Sequence, residues 1–148
     1  MIYILEELLK LDDSNSFINY IKDQFEVLLN YKINNIHMIY KISKTTICFV
    51  DVDSKMKISG IIIVSCKDFL FNEKIFFLEF LNSISDDREI EELLLNSAMN
   101  YIKLLVNENK QNEMIISLLM NDEINDEILI KNNFHYSNDL MSCIILND

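Results

Sequence analysis

The sequence contains one glycine, Gly60, and no proline among its 148 residues. A loop that cradles a phosphate needs glycine, because its backbone N–H groups must approach the anion and part of the chain must take up positive φ. The Walker A loop, the G-x-G-x-x-G dinucleotide turn and the EF-hand loop are therefore excluded. Any function must come from side chains or from a pocket formed by strands.

Cysteine is also scarce and scattered. Cys48, Cys66 and Cys143 each lie in an apolar run, no C-x-x-C pair is present, and neither histidine lies near a cysteine. This spacing predicts neither a zinc site nor a disulfide framework. We expect buried, reduced thiols, which fits the reducing cytoplasm.

Basic residues are few, because 13 lysine and arginine residues stand against 24 aspartate and glutamate residues, for a net charge of −11. Nucleic acids and anionic membranes are bound by basic patches, so this charge argues against both as partners. It suits a soluble cytosolic protein, or one that meets an amine substrate or a basic protein partner.

Long hydrophobic runs are absent as well. No stretch reaches the roughly 18 apolar residues of a transmembrane helix. Glu6 and Glu7 interrupt the first apolar run, which argues against a signal peptide. Half of the residues are hydrophobic and the length suits one domain, so we expect residues 1–148 to form a single cytoplasmic domain.

The apolar patterns that are present predict a mixed α/β fold. The predicted elements are a helix over Ser16–Tyr31 capped by Ser14 or Asn15 and ended by Asn34 and Asn35, strands over Thr45–Val52, Lys57–Cys66 and Lys74–Ile84, a helix over Asp87–Asn107, a strand over Met114–Met120, a short helix from Asp122 or Asn125 to near Asn133, and a strand over Leu140–Leu146. Met1–Leu11 is ambiguous between strand and helix. The first three strands should form an antiparallel meander buried on both faces, and the crossover over the long helix should make its two strands parallel.

This order of elements resembles the GCN5-related N-acetyltransferase (GNAT) superfamily over roughly residues 45–146. Phe76–Lys103 looks like that family's fourth strand, acyl-CoA loop and following helix. Asn121–Ser137 is similar to its helix N-x-x-A-x-x-L-Y-x-x-x-G-F, with Phe134 at the terminal Phe. The resemblance implies a central mixed sheet, an antiparallel meander followed by β-α-β-α-β, with helices on both faces. It also implies an N-acetyltransferase that uses acetyl-CoA.

The acyl-CoA loop of that family reads R/Q-x-x-G-x-G/A, and its amides hold the CoA pyrophosphate at a helix N-terminus. Here Arg88 matches the family's Arg in one register and Asp86 replaces it in the gapless register, and acidic residues stand at glycine positions in both. Such carboxylates stabilise a helix start but repel a pyrophosphate. The acetyl-CoA contacts that the resemblance implies are Leu81, Asn82, Ser83, Arg88 and Ile90.

Two residues are the candidates for proton transfer. Many members of the family carry a general base on the fourth strand, and Glu79 is the carboxylate there. Its neighbours along the strand are apolar, and their packing would make Glu79 a suitable general base if it buried the carboxylate. The alternative is that Glu79 faces solvent or pairs with a lysine. The family's general acid is often a Tyr on its last helix, where this sequence has Leu129. Tyr136 is the nearest substitute, and its alternative is a partly exposed aromatic residue.

Two functional hypotheses follow, together with one structural alternative. The chain is either a divergent N-acyltransferase or a catalytically inactive GNAT-fold module that binds or regulates a protein partner. An open cleft with inward-pointing amides at Ser83–Glu89 favours the enzyme, and a closed helix cap favours the module. An unrelated α/β fold is the structural alternative. The chain is expected to be a monomer, or a homodimer paired through its apolar terminal strand.

Overall fold

The computed structural model describes residues 1–37, 46–68, 74–108, 113–119, 126–137 and 140–146. Its strands are β1 (Ile2–Ile4), β2 (Thr46–Val52), β3 (Ile58–Asp68), β4 (Lys74–Ser83), β5 (Glu113–Leu119), β6 (His135–Ser137) and β7 (Leu140–Leu146). Its helices are α1 (Leu5–Lys10), α2 (Asn15–Leu29), α3 (Arg88–Glu108) and α4 (Asp126–Lys131), with a 3₁₀ turn over Ile84–Asp86.

All of these strands belong to one mixed sheet in the order β1-β2-β3-β4-β5-β7-β6. Strands β1 to β4 are antiparallel neighbours, as the predicted meander requires. Strands β4 and β5 are parallel and are joined through α3, which confirms the predicted crossover. Strand β7 then pairs antiparallel with both β5 and β6.

Helices cover both faces of the sheet, as expected from strands with near-continuous apolar sequence. On one face, residues of α3 and α4 pack with Ile62, Val64, Phe76 and Leu78 of the central strands, and Phe134 is 2% exposed in this cluster. On the other face, α1 and α2 pack on β2 and β3. Two separate hydrophobic clusters therefore lie against the two faces of the sheet.

Gly60 lies where α3 packs most closely on β3. A Cβ atom built on Gly60 would lie 2.7 Å from Ile90 Cγ2 and 2.8 Å from Leu94 Cδ1, both closer than real Cβ contacts. Gly60 also pairs with Ser83 at the end of β4. The glycine therefore allows the first turns of α3 to lie directly on the sheet, beside the loop that follows β4.

Helix α2 begins as predicted but ends earlier. Ser14 Oγ accepts a hydrogen bond from the Phe17 backbone N–H at 3.3 Å, which makes Ser14 the N-cap. The helix ends at Leu29 because Asn30 takes up the left-handed conformation with φ 57°. The prediction that Asn34 and Asn35 end this helix was therefore wrong; Asn30 does so.

The elements that the sequence pattern did not resolve lie near the two ends of the chain. Residues 1–11, which were ambiguous, divide into strand β1 and helix α1. Strand β6 was missed, because its three residues are too few to show a period of two. The predicted helix starts Asp122 and Asn125 lie outside the described residues. Over the described part of the chain, none of the helices has the length and apolarity that a membrane span requires.

Candidate functional site

The parallel strands β4 and β5 part midway along the sheet. Among the described residues, their pairing runs from Lys74 opposite Met114 to Phe77 opposite Ser117. Beyond this level β4 continues to Ser83 along β3, and β5 continues to Leu119 along β7. The sheet therefore opens between its two parallel strands, next to the carboxyl end of β4.

A β-bulge lies at the start of this opening. Leu78 pairs with Val64 and Phe80 pairs with Ile63, so Glu79 is an extra residue on β4 without a counterpart on β3. A bulge bends a strand and redirects its side chains. The carboxylate predicted as the base is thus the residue around which β4 bends.

The carboxylate of Glu79 is exposed, and it accepts a hydrogen bond from Ser65 Oγ at 2.5 Å. Ser65 alternates with Val64 and Cys66, which belong to the cluster under α3, so Ser65 and Glu79 meet on the opposite face, the one that carries α2. The burial on which the sequence-based argument for Glu79 depended is therefore not found. Glu79 faces solvent with a serine as its hydrogen-bond donor.

The loop after β4 leads directly into α3, and the chain itself caps that helix. Asp86 has φ 51°, a left-handed conformation that glycine adopts at less cost. Asp87 Oδ1 then accepts hydrogen bonds from the backbone N–H groups of Glu89 at 3.0 Å and Ile90 at 3.3 Å. Two of the N–H groups that a helix start offers to an anion are thus already satisfied by a side chain.

Glu91 fills the space behind this cap. It is 6% exposed, and Ser83 Oγ donates to its Oε1 at 2.8 Å while also lying 3.1 Å from the Asp87 carbonyl oxygen. Burial, followed by the neighbouring charges of Asp86 and Asp87, raises the pKa of Glu91, and the hydrogen bond from Ser83 opposes this. In either register of the loop motif, Glu91 stands where the family has a small residue.

Two ion pairs join α3 to α4 at this end of the molecule. Arg88 Nη1 lies 2.5 Å from a carboxylate oxygen of Glu127, and Lys131 Nζ lies 2.9 Å from the carboxylate of Glu92. The side chain of Arg88 is 63% exposed, so its pair contributes little to stability. Its guanidinium is nevertheless engaged with a carboxylate of α4.

The other residues predicted for the site are Leu81, Asn82 and Tyr136. Leu81 is buried in the cluster under α3, and Asn82 Oδ1 accepts from the Ser83 backbone N–H at 2.8 Å. Tyr136 belongs to β6 opposite Met141, and β7 separates that strand from β5; its side chain lies outside the described part. The structure thus places Ser83 and Ile90 beside each other at the start of α3, whereas the side chain of Arg88 turns to α4. Glu79 lies about 13 Å back from Ser83 along the strand at 3.3 Å per residue.

Sequence reasoning missed two of the groups at this site. Ser65 lies 14 residues from Glu79, so no local pattern could reveal their contact. Glu91 did have a signal, since it precedes Leu94, Leu95 and Ala98 at helical spacing on the buried stripe of α3. Cys48 and Cys66 are buried thiols as predicted, whereas the side chain of Cys143 lies outside the described part.

Comparison of sequences alone finds no relatives: no protein-family model matches this chain, and no curated protein does. Comparison of structures finds many. Ribosomal-protein-S5-alanine acetyltransferase from Vibrio fischeri is similar with a TM-score of 0.51 at 14% identity, over 74% of this chain and 66% of that one. This chain therefore spans about two thirds of that enzyme's length.

Two further solved structures match almost end to end. Spermidine N-acetyltransferase from Vibrio cholerae, in complex with CoA and spermine, has a TM-score of 0.60 at 11% identity, over 99% of this chain and 95% of that one. The AtaT-AtaR complex bound to DNA contains a chain with a TM-score of 0.62 at 10% identity, over 97% and 93%. Since a neighbour's complex contains DNA, the exclusion of nucleic acid for this chain stays a prediction from charge.

These identities establish the fold and no more. TM-scores of 0.60 and 0.62 over almost the whole chain reflect a likeness of the whole architecture rather than a coincidence of element order. The alternative of an unrelated α/β fold was wrong. The chain has the fold of the GCN5-related N-acetyltransferase superfamily.

Proposed function

We propose that this protein is an N-acyltransferase that moves an acyl group from a thioester to an amine. The observation that carries the proposal is the opening between β4 and β5, which starts next to the bulged carboxylate Glu79. The strands are the part of the fold that would hold an extended, amide-bearing thioester, because their N–H and C=O groups can pair with it as a further strand would.

Glu79 is the proposed general base. A protonated amine must lose one proton before its nitrogen can attack the thioester carbonyl, and the exposed carboxylate of Glu79 would accept it. The new C–N bond forms as the C–S bond breaks, and the sulfur leaves as a thiolate. The nitrogen releases its second proton to solvent as it becomes an amide, and the thiolate takes up a proton from solvent. Ser65, which donates to Glu79 Oε1, would orient the carboxylate and compete for its lone pairs.

The acceptor class is a cationic amine, either a small amine or a basic protein. A net charge of −11 would raise the concentration of cations near the surface. The match to a spermidine N-acetyltransferase solved with spermine supports this class, although at 11% identity it transfers no residue role.

The experiment measures the acetylated amine by mass spectrometry, with acetyl thioesters as donors and a panel of polyamines and lysine peptides as acceptors. We expect Glu79→Gln to lower kcat by about 10²–10⁴-fold with little change in KM, the usual contribution of a general base. Glu7→Gln, an exposed carboxylate on α1, is the matched control and should behave as wild type. Wild-type activity in Glu79→Gln would contradict the assignment.

Tyr136 provides a second check on which residues transfer protons. It belongs to the edge strand β6, with β7 between it and β5, so we expect Tyr136→Phe to change kcat less than threefold. A loss of 10²-fold or more would restore it as the general acid.

The closed helix cap favours a second candidate function, a catalytically inactive module that binds a protein partner. Asp87 and Glu91 together occupy the helix start at which the family holds its donor. If no thioester is consumed with any acceptor and calorimetry detects no binding of donor at millimolar concentration, this candidate replaces the enzyme.

A further inference from the structure

The N-terminus of α3 is closed to anions by the protein itself. The backbone N–H groups of Glu89 and Ile90 donate to Asp87 Oδ1, and that of Glu91 donates to the Asp87 carbonyl oxygen at 3.1 Å. A diphosphate could reach these groups only by displacing the Asp87 side chain, which would leave a carboxylate and a diphosphate competing for the same donors.

The surrounding charge opposes an anion as well. Glu91 is buried directly behind the cap, and Asp86 and Asp87 stand at its entrance, so a diphosphate would add further negative charge to three carboxylates. A buried carboxylate is also expensive to desolvate further, because its only described donor is Ser83. The residues present at this helix start therefore do not fit a nucleotide diphosphate.

Two cations of the described residues near this helix start are already paired. Arg88 is bound to Glu127, and Lys131 is bound to Glu92, each across the gap between α3 and α4. Neither could turn to a phosphate without leaving an acidic partner behind. The opening between β4 and β5, by contrast, begins beyond the pairing of Phe77 with Ser117. Glu79 at this start of the opening lies about 13 Å from Ser83 along β4 at 3.3 Å per residue, away from the cap.

We infer that the donor is recognised through its acyl group and pantetheine arm alone, and that its nucleotide contributes nothing to binding. The substrate class is thus an acyl-pantetheine thioester for which the adenosine diphosphate portion of CoA is dispensable. This inference rests on the proposed acyltransferase function and specifies its donor.

The test compares acetyl-CoA with S-acetylpantetheine as donors to the same polyamine, using wild-type protein. We expect the two kcat/KM values to agree within about threefold, and adenosine 3′,5′-bisphosphate at millimolar concentration not to inhibit. A preference for acetyl-CoA of a hundredfold or more, or competition by the nucleotide at micromolar concentration, would overturn the inference.

The converse test asks whether removing the carboxylates of the helix cap makes the protein recognise the nucleotide. The double variant Asp87→Gly/Glu91→Gln frees the N–H groups of Glu89 and Ile90 and removes two negative charges, and glycine is tolerated as an N-cap residue. We expect it to prefer acetyl-CoA over S-acetylpantetheine by tenfold or more. Its control, Glu7→Gln/Asp23→Asn, removes two exposed carboxylates elsewhere and should show no preference. Equal donor preference in both double variants would contradict the role assigned to the cap.

Calorimetric titration separates the failure of this inference from the failure of the proposed function. Equal affinity for pantetheine and CoA without any acyl transfer would support the donor class and reject the enzymatic activity. Binding of CoA alone would reject the donor class while leaving an acyltransferase possible in principle. The absence of binding by either compound would reject both.

Discussion

Glu91 is a carboxylate at a position where the pattern of α3 calls for a hydrophobic residue. It lies three and four residues before Leu94 and Leu95, which are buried, and it is itself 6% exposed. Its spacing could have revealed its burial from the sequence, but not its partner Ser83, which reaches it from the end of β4. The helical period of the apolar residues identifies which face of α3 is buried. It does not identify the residue of another element that contacts this face, because that depends on how the elements pack.

The burial of Glu91 predicts a pH dependence of stability. Because burial raises its pKa from the ordinary value of 4.5, the folded protein binds more protons than the unfolded chain above that pH. The free energy of unfolding should therefore fall as pH rises from 4.5 through the raised pKa. Glu91→Gln has no such proton to lose, so its free energy of unfolding should rise relative to that of wild type over this pH interval.

Urea denaturation of both proteins from pH 4.5 to pH 8 measures this difference. Glu89→Gln removes an exposed carboxylate two residues away and is the control, for which the curve should run parallel to that of wild type. Parallel curves for Glu91→Gln as well would show that Glu91 is solvated in solution.

At the scale of the elements, α3 can pack closely on β3 because Gly60 has no side chain. Gly60→Ala would place a Cβ 2.7 Å from Ile90 Cγ2 and 2.8 Å from Leu94 Cδ1, so these side chains, or the helix that carries them, must shift. Overpacking of this kind typically costs about 1–3 kcal/mol. We expect thermal denaturation to show a lower Tm for Gly60→Ala, whereas Asn96→Ala on the exposed side of α3 should leave it unchanged or raise it. An unchanged Tm for Gly60→Ala would mean that α3 does not lie this close to the sheet.

Long periodic elements could be predicted and short or context-dependent ones could not. The long helix was expected over Asp87–Asn107 and is found over Arg88–Glu108, because its apolar stripe repeats over many turns. Strand β6 has three residues, and Asn30 ends α2 through a left-handed backbone that asparagine would equally allow at Asn34 or Asn35. At the site, Glu79 was found from its strand, but its bulge depends on pairing with β3 and could not be read locally.

For the molecule as a whole, the acidic charge predicts how an acceptor is attracted. The net charge of −11 should draw a polycation to the surface, and salt screens this attraction because the Debye length falls from about 10 Å at 0.1 M to about 3 Å at 1 M. On the proposed function, we expect the KM of a polyamine to rise roughly tenfold between about 0.05 and 0.5 M salt. Steady-state kinetics with a monoamine as control should show a change below threefold. The same salt response for both acceptors would mean that the net charge has no part in recognition.

The bulge on β4 implies that Glu79 is dispensable to the fold. Phe76 and Leu78 before it face the cluster under α3, and so do Leu81 and Ser83 after it, although even and odd positions of a regular strand point to opposite faces. Removal of Glu79 would give a strand that alternates without interruption and keeps every core side chain on its own face, with Phe80 still opposite Ile63 and Leu78 opposite Val64. In terms of strand pairing, Glu79 is an insertion, and we expect the chain to fold when it is deleted.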